Sequence, residues 1–185
     1  MFMETEKTPN PSALKFIPGP KLADTPIDFP SAETTEGAPL AQKIFQVPGV
    51  TSIFIAQDFI TITKADDKTW EELTPALSSL ILNYLASGKP IFTESYTTSM
   101  LTPEHESDEG VVKDIKDILN TRVRPAVARD GGDIIFDKFD NGVVYLRLKG
   151  ACSGCPSSTL TLKSGIENML RYYVPEVIEV RAVDE

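Results

Sequence analysis

Apolar residues along the chain recur with two different periods, and the places where the period changes mark the elements. Ala13 to Ile17, Ile53 to Ile55 and Ile60 to Thr63 are short runs rich in β-branched and aromatic residues, the length and chemistry of strands. The last two, joined by the tight Gln57-Asp58 connection, read as a hairpin. Pro39 to Phe45 suits a short helix. From Thr69 to Ala86, Trp70, Leu73, Leu77, Leu80, Ile81 and Tyr84 recur at helical spacing. Thr69 and Glu72 are spaced as a capping box, whereas Pro75 predicts a helix that is kinked or that begins later than drawn.

The pattern then lapses. Ser87 to Ser107 is polar, rich in Ser and Thr, and holds Gly88, Pro90, Pro103 and the acidic run Glu104-His105-Glu106. A structureless stretch of this length is uncommon inside one compact domain, so it predicts a boundary, although Ile91 and Phe92 are able to pack locally. Beyond it, Ser107 is a candidate cap for a helix with the stripe Val111, Ile115, Ile118, Leu119, Val123, Ala126 and Val127, whose last turn is distorted by Pro125. Gly131-Gly132 stop that helix. Two strands, Ile134 to Phe139 and Val143 to Lys149, follow, joined through Asn141-Gly142, a type I′ hairpin signal. A second helix carries Leu162, Ile166, Met169, Leu170 and Tyr173 on one face, Pro175 ends it, and Val177 to Val183 alternates as a third strand.

These elements predict an α+β chain of two small domains: residues 1–87, a flexible linker over 88–107, and 108–185. The second domain reads α-β-β-α-β, a three-stranded mixed sheet with two helices. No internal repeat is visible.

Charge narrows the partners. The formal net charge is -9, which disfavours nucleic acid and anionic membrane surfaces. Residues 1–107 hold 14 acids against 7 bases and residues 108–185 hold 13 against 11, so the excess lies in the first half. No apolar run approaches the roughly 20 residues that a spanning helix needs. The opening Met1-Phe2-Met3-Glu4-Thr5-Glu6 carries two acids and no arginine, unlike a transit or secretory segment, so a cytoplasmic setting or a trimmed mature form is expected.

Candidate chemistry concentrates in one place. The two cysteines of the chain, Cys152 and Cys155, lie in Lys149-Gly150-Ala151-Cys152-Ser153-Gly154-Cys155-Pro156-Ser157-Ser158, between a strand and a helix. Two intervening residues let both sulfurs face one point. Pro156 suits a first helical position and puts Cys155 at the cap, where free backbone N–H groups and the helix dipole lower a thiol's pKa. From Gly142 through Ile166 there is no Asp or Glu, while Arg147, Lys149 and Lys163 fall inside, a setting that suits thiolates. The small neighbours Gly150, Ala151, Ser153 and Gly154 would let a bulky inorganic core approach, and neither thiol is expected to be needed for the core.

Several readings compete for such a pair. A structural disulfide conflicts with a reducing compartment. A thioredoxin-like redox pair shares the order strand, CxxC, helix, but here the strand belongs to an antiparallel hairpin rather than a βαβ unit, and no Trp adjoins the motif. Zinc sites and iron–sulfur clusters want about four donors, and two thiolates per chain fall short, so a metal or cluster requires a second copy in a symmetric dimer. His105 reads as a solvated linker residue. Asp130 and Asp133, flanking Gly131-Gly132, read as turn residues, and Trp70 as core. Nothing resembles a Walker loop or a Ser/His/Asp arrangement, and no catalytic residue is assigned.

Arg124-Pro125-Ala126, Asp130-Gly131-Gly132-Asp133 and the Gly150 to Ser158 segment together resemble the NifU C-terminal domain. Thr8-Pro9-Asn10-Pro11, with Leu14-Lys15-Phe16 and Pro18-Gly19, resembles the N-terminal domain of the Nfu family in its mitochondrial and related bacterial form. The resemblance implies a non-enzymatic iron–sulfur scaffold or carrier. In it, Cys152 and Cys155 of two subunits bind one cluster, 4Fe-4S rather than 2Fe-2S, take it from donor scaffold proteins and pass it to apo iron–sulfur enzymes. The cysteine-free N-terminal domain would recognise clients or donors. A bacterial cytoplasm or, for a mature eukaryotic form, the mitochondrial matrix fits it. The alternatives kept open are a thioredoxin-like redox protein and a zinc-bridged interaction module.

Overall fold

The computed structural model describes residues 2–94, 96, 110–153 and 156–183. The chain divides into two units, Met1–Glu104 and His105–Glu185.

The first unit is built on a five-stranded sheet in the order β1-β2-β5-β4-β3, every neighbouring pair antiparallel. Its strands are β1 (Glu4–Lys7), β2 (Ala13–Ile17), β3 (Ile27–Phe29), β4 (Val50–Ile55) and β5 (Ile60–Lys64). Phe16, Ile53, Ile55, Ile60 and Ile62 are buried with Leu40 and Ile44 of α1 (Pro39–Phe45) and with Leu73, Leu77 and Ile81 of α2 (Trp70–Ala86). Apolar residues two apart in the strands and three or four apart in the helices therefore meet in one core. Helix α2 starts at Trp70, where the Thr69 N–H donates to the Glu72 carboxylate at 3.4 Å, and runs on through Pro75. The proline sits in the second turn and does not delay the start.

Two strands went unread in the sequence for different reasons. β1 is Glu-Thr-Glu-Lys, exposed throughout, with no apolar alternation to betray it. It is an edge strand held by its ladder to β2 and by Glu6 on Lys15 at 3.0 Å. β3 is three residues long, shorter than the window from which periodicity is recognised.

The segment expected to be a flexible linker behaves differently over its first part. Ile91, Phe92 and Tyr96 lie against the core of the first unit. The Thr93 N–H donates to the Gly37 carbonyl at 2.8 Å, and the Tyr84 hydroxyl donates to the Pro90 carbonyl at 2.8 Å. The Tyr96 ring stacks on Phe92 at 5.5 Å and on Phe29 at 6.3 Å. Gly37, at φ +79°, leaves the space: a Cβ there would come within 2.9 Å of the Tyr96 Cβ. Aromatic side chains inside a polar stretch were enough to fold it back. Residues 97–107, with His105 and the Ser107 cap, lie outside the described residues.

The second unit carries β6 (Gly132–Asp140), β7 (Val143–Gly150) and β8 (Glu179–Ala182) in the order β6-β7-β8. β6 and β7 are antiparallel, closed by Asn141 at φ 47° and Gly142 at φ 83°, the two positive values a type I′ turn requires. β8 lies parallel to β7, and α5 (Pro156–Tyr173) makes the crossover. The hairpin strand is thus also the first strand of a β-α-β unit, which corrects the expectation that it belonged to a hairpin alone. The sheet is mixed and three-stranded as anticipated.

The helix before β6 is interrupted. α3 (Val111–Ile118) runs into a π turn, Leu119–Val123, and continues as α4 (Arg124–Arg129). Pro125 has no N–H to give to the carbonyl four residues back and its ring crowds that carbonyl, so the turn widens. Ile115, Leu119, Val123 and Val127 are all buried. A strict four-residue repeat overshoots an α-helical turn by about 40° at each step, and the wider turn brings the stripe back over the sheet. Ala126, expected on that stripe, is exposed instead.

Tyr96→Ala is expected to lower the stability of the first unit by about 1–2 kcal/mol through loss of two ring contacts. Urea unfolding monitored by Trp70, the sole tryptophan, reads that unit directly. A free linker would give no change.

Candidate metal centre

The candidate centre lies where β7 hands over to α5. Gly150, at φ +66°, ends the strand opposite Gly132, its register partner. The loop that follows is pinned by backbone bonds: the Ala151 N–H donates to the Gly131 carbonyl at 3.1 Å, and the Ser153 N–H to the Gly150 carbonyl at 3.1 Å. These bonds turn Cys152 inward, where it is 6% exposed and belongs to the same buried cluster as Val123, Val144 and Ile166. Cys152 therefore contributes to the core, contrary to expectation. Cys155 and Gly154 lie outside the described residues, while α5 begins at Pro156 as its place after the motif predicted.

The paired glycines divide their labour. Gly131, at φ +84°, ends α4, its N–H bonded to the Ala128 carbonyl at 3.0 Å. Gly132 has no such backbone demand. A Cβ on it would stand 2.6 Å from the Cys152 sulfur and 2.7 Å from the Lys149 carbonyl. Only a residue without a side chain lets the sulfur occupy that place.

Asp133 has a structural partner. Arg124 donates from Nε to Oδ1 at 2.8 Å and from Nη2 to Oδ2 at 2.7 Å, a two-point fork. Asp133 is buried, and its Oδ1 also accepts from the Ile134 N–H at 2.8 Å. Arg124 reaches back to Asn120 in the π turn at 3.2 Å. The hydrogen bond to Asp133 pushes the guanidinium pKa up against the opposing effect of burial, so the arginine stays charged. Asp133 was read as a turn residue. It clamps the start of α4 to the start of β6.

Local charge is less positive than the sequence suggested. Arg147 pairs with Asp137 at 2.8 Å, and Lys163 lies 3.9 Å from Glu179. The carboxylate-free window holds along the chain but not in space, because β6 and β8 bring their acids alongside. Among the described residues no group of three or more His, Cys, Asp or Glu side chains gathers as a metal site. Gly132, Gly150 and Ala151 beside the sulfur are all buried, and the space next to Gly132 is filled by Cys152 and the Lys149 carbonyl.

Sequence reasoning singled out both cysteines, of which Cys152 is described, and read Gly132 only as a helix stop, missing its contact with the sulfur and the Arg124–Asp133 fork. The available signal was that one glycine suffices to end a helix. A second glycine directly after it calls for a different reason.

Comparison with known proteins agrees with the resemblance. Residues 115–181 match the model of the NifU-like domain, and residues 3–88 match that of the scaffold protein Nfu/NifU N-terminal domain. The mitochondrial NifU-like protein 5 of Arabidopsis thaliana is 49% identical over 181 residues, 96% of this chain and 66% of that protein. The human mitochondrial NFU1 iron-sulfur cluster scaffold homolog is 47% identical over 185 residues, 99% of this chain and 72% of its own length. The chain thus spans only part of these relatives. A solution structure of a NifU-like protein from Saccharomyces cerevisiae is 30% identical, covering 51% of this chain and 86% of that one at a TM-score of 0.46.

Gly132→Ala is expected to destabilise the second unit by about 1–3 kcal/mol, since a sulfur or a strand carbonyl has to move. Cys152→Ser is expected to cost about 1–3 kcal/mol by placing a hydroxyl among apolar side chains. Urea titrations followed by amide resonances of each unit separate these effects from the first unit, which should be unaffected.

Proposed function

The chain belongs to the NifU-like and Nfu family of iron–sulfur cluster scaffold proteins, and on that premise we propose that Cys152 and Cys155 of two copies hold one cluster, 4Fe-4S, as cargo for apo iron–sulfur enzymes. The observation that carries the reading is the donor count: the sequence contains two cysteines, and both lie in one CxxC. A cluster wants about four thiolates, so one chain supplies half of them and its copy the rest. Membership in a scaffold family argues for delivery rather than turnover, and no catalytic residue is assigned.

Handover needs no redox step. An incoming client thiolate forms a bond to iron as one Cys152 or Cys155 thiolate leaves the same iron, so charge and electrons balance. Half-ligation by each chain keeps every such bond replaceable one at a time. It also ties assembly to loading, as happens wherever a site is incomplete before metal arrives. The first unit, with no cysteine, is free to recognise donors or clients. The relatives named above are mitochondrial proteins, which favours the mitochondrial matrix over a bacterial cytoplasm.

The thioredoxin-like alternative gains one observation, since the motif does sit between β7 and the helix of a β-α-β unit. It predicts that the unloaded chain reduces insulin disulfides. A zinc-bridged module predicts zinc and no visible colour.

Protein purified without oxygen, or reconstituted with iron and sulfide, is expected to absorb in the visible and to carry about two iron and about two sulfide per chain. It should elute as a dimer in sizing chromatography. Cys155→Ser is expected to abolish retention of iron and sulfide, whereas Cys152→Ser combines that loss with its cost in the core. A full cluster on a monomer, or on either serine variant, contradicts the proposal.

A further inference from the structure

The fork between Arg124 and Asp133 lies one residue from Gly132, and Gly132 is the surface on which the Cys152 sulfur rests. We infer that Gly132, held in register by the Arg124–Asp133 fork, is a positioning residue for the Cys152 thiol, keeping its sulfur seated inward in the unloaded chain. The inference rests on the reading of Cys152 as a ligand.

Three observations converge on it. The thiol is buried, although a sulfur shared between two chains has to reach the surface of each. The seat has room because residue 132 has no side chain: a Cβ there would fall 2.6 Å from the sulfur. The strand bearing the seat is fixed from the opposite side, by a charged two-point contact whose carboxylate also takes the next backbone N–H. A fork of that kind resists rotation in a way a single contact does not. The π turn completes the chain of contacts, since Asn120 within it accepts from Arg124 and steers the guanidinium.

If the fork holds the seat, loosening it should free the sulfur without unfolding the unit. The experiment is alkylation of the unloaded full-length chain with iodoacetamide, each cysteine followed separately by peptide mass spectrometry, with Cys155 as internal reference. Charged hydrogen bonds are strong enough that losing the fork in Arg124→Lys or Asp133→Asn is expected to raise the Cys152 rate about tenfold relative to Cys155. A merely structural role would raise both rates together. In the unsubstituted chain, Cys152 is expected to react at least about tenfold more slowly than in the same chain unfolded in urea, since reaction awaits local opening.

That second measurement needs no variant, so the inference stays testable if both substitutions fail to fold. Two results overturn it: native Cys152 reacting as fast as in the unfolded chain, or folded variants with an unchanged ratio of Cys152 to Cys155. Neither depends on a cluster being present. Iron retained by Cys155→Ser would remove the functional reading and leave this result standing.

Discussion

The second unit is organised around a close approach between a sulfur and a backbone. Cys152 leans into the space that any side chain on residue 132 would fill, and that approach fixes which strand must face the loop and in which register. Pairing of Gly132 with Gly150 sets the end of the hairpin, the Ala151 N–H on the Gly131 carbonyl sets the loop, and α5 departs from there. The burial of Val144, Leu146, Ile166 and Leu170 supplies most of the driving force. That force alone would tolerate a shifted loop. The sulfur contact does not.

A charged fork is costly to bury unless both partners are satisfied, and here they are: Asp133 accepts from Arg124 twice and from Ile134 once. Such a pair contributes geometry more than net stability. It joins the segment after the π turn to the first residues of β6, two parts that hydrophobic packing alone would leave free to slide. Ala151, at the start of the cysteine loop, is tied to the same place by its N–H on the Gly131 carbonyl.

Much of this was legible beforehand, and the limits were physical. Strands with β-branched alternation, such as Ile60 to Thr63, and helices with an apolar stripe, such as Leu73 to Ile81, declared themselves. Asn141-Gly142 identified its hairpin because both residues tolerate positive φ. β1 stayed hidden because an exposed edge strand needs no apolar pattern. The segment holding Phe92 and Tyr96 looked like a linker because its polar majority outweighed the aromatic residues that fold it back. The cysteines were found by type and spacing, which are one-dimensional facts. Gly132 and the partner of Asp133 were missed because each depends on a contact across the sheet or between helix and strand. The same blindness made Arg147 and Lys163 look available to a thiolate when Asp137 and Glu179 lie beside them.

The π turn at Leu119–Val123 amounts to a spare residue lodged in an otherwise regular helix. Deleting one residue there would restore an ordinary α-helix and leave everything downstream in nearly the same phase, because the wide turn already takes up the roughly 100° that one residue adds. Val127 would keep its place over the sheet and Arg124 its approach to Asp133. The extra residue is therefore absorbed where it is inserted, and the guanidinium reaches its carboxylate at the angle of an uninterrupted helix one residue shorter.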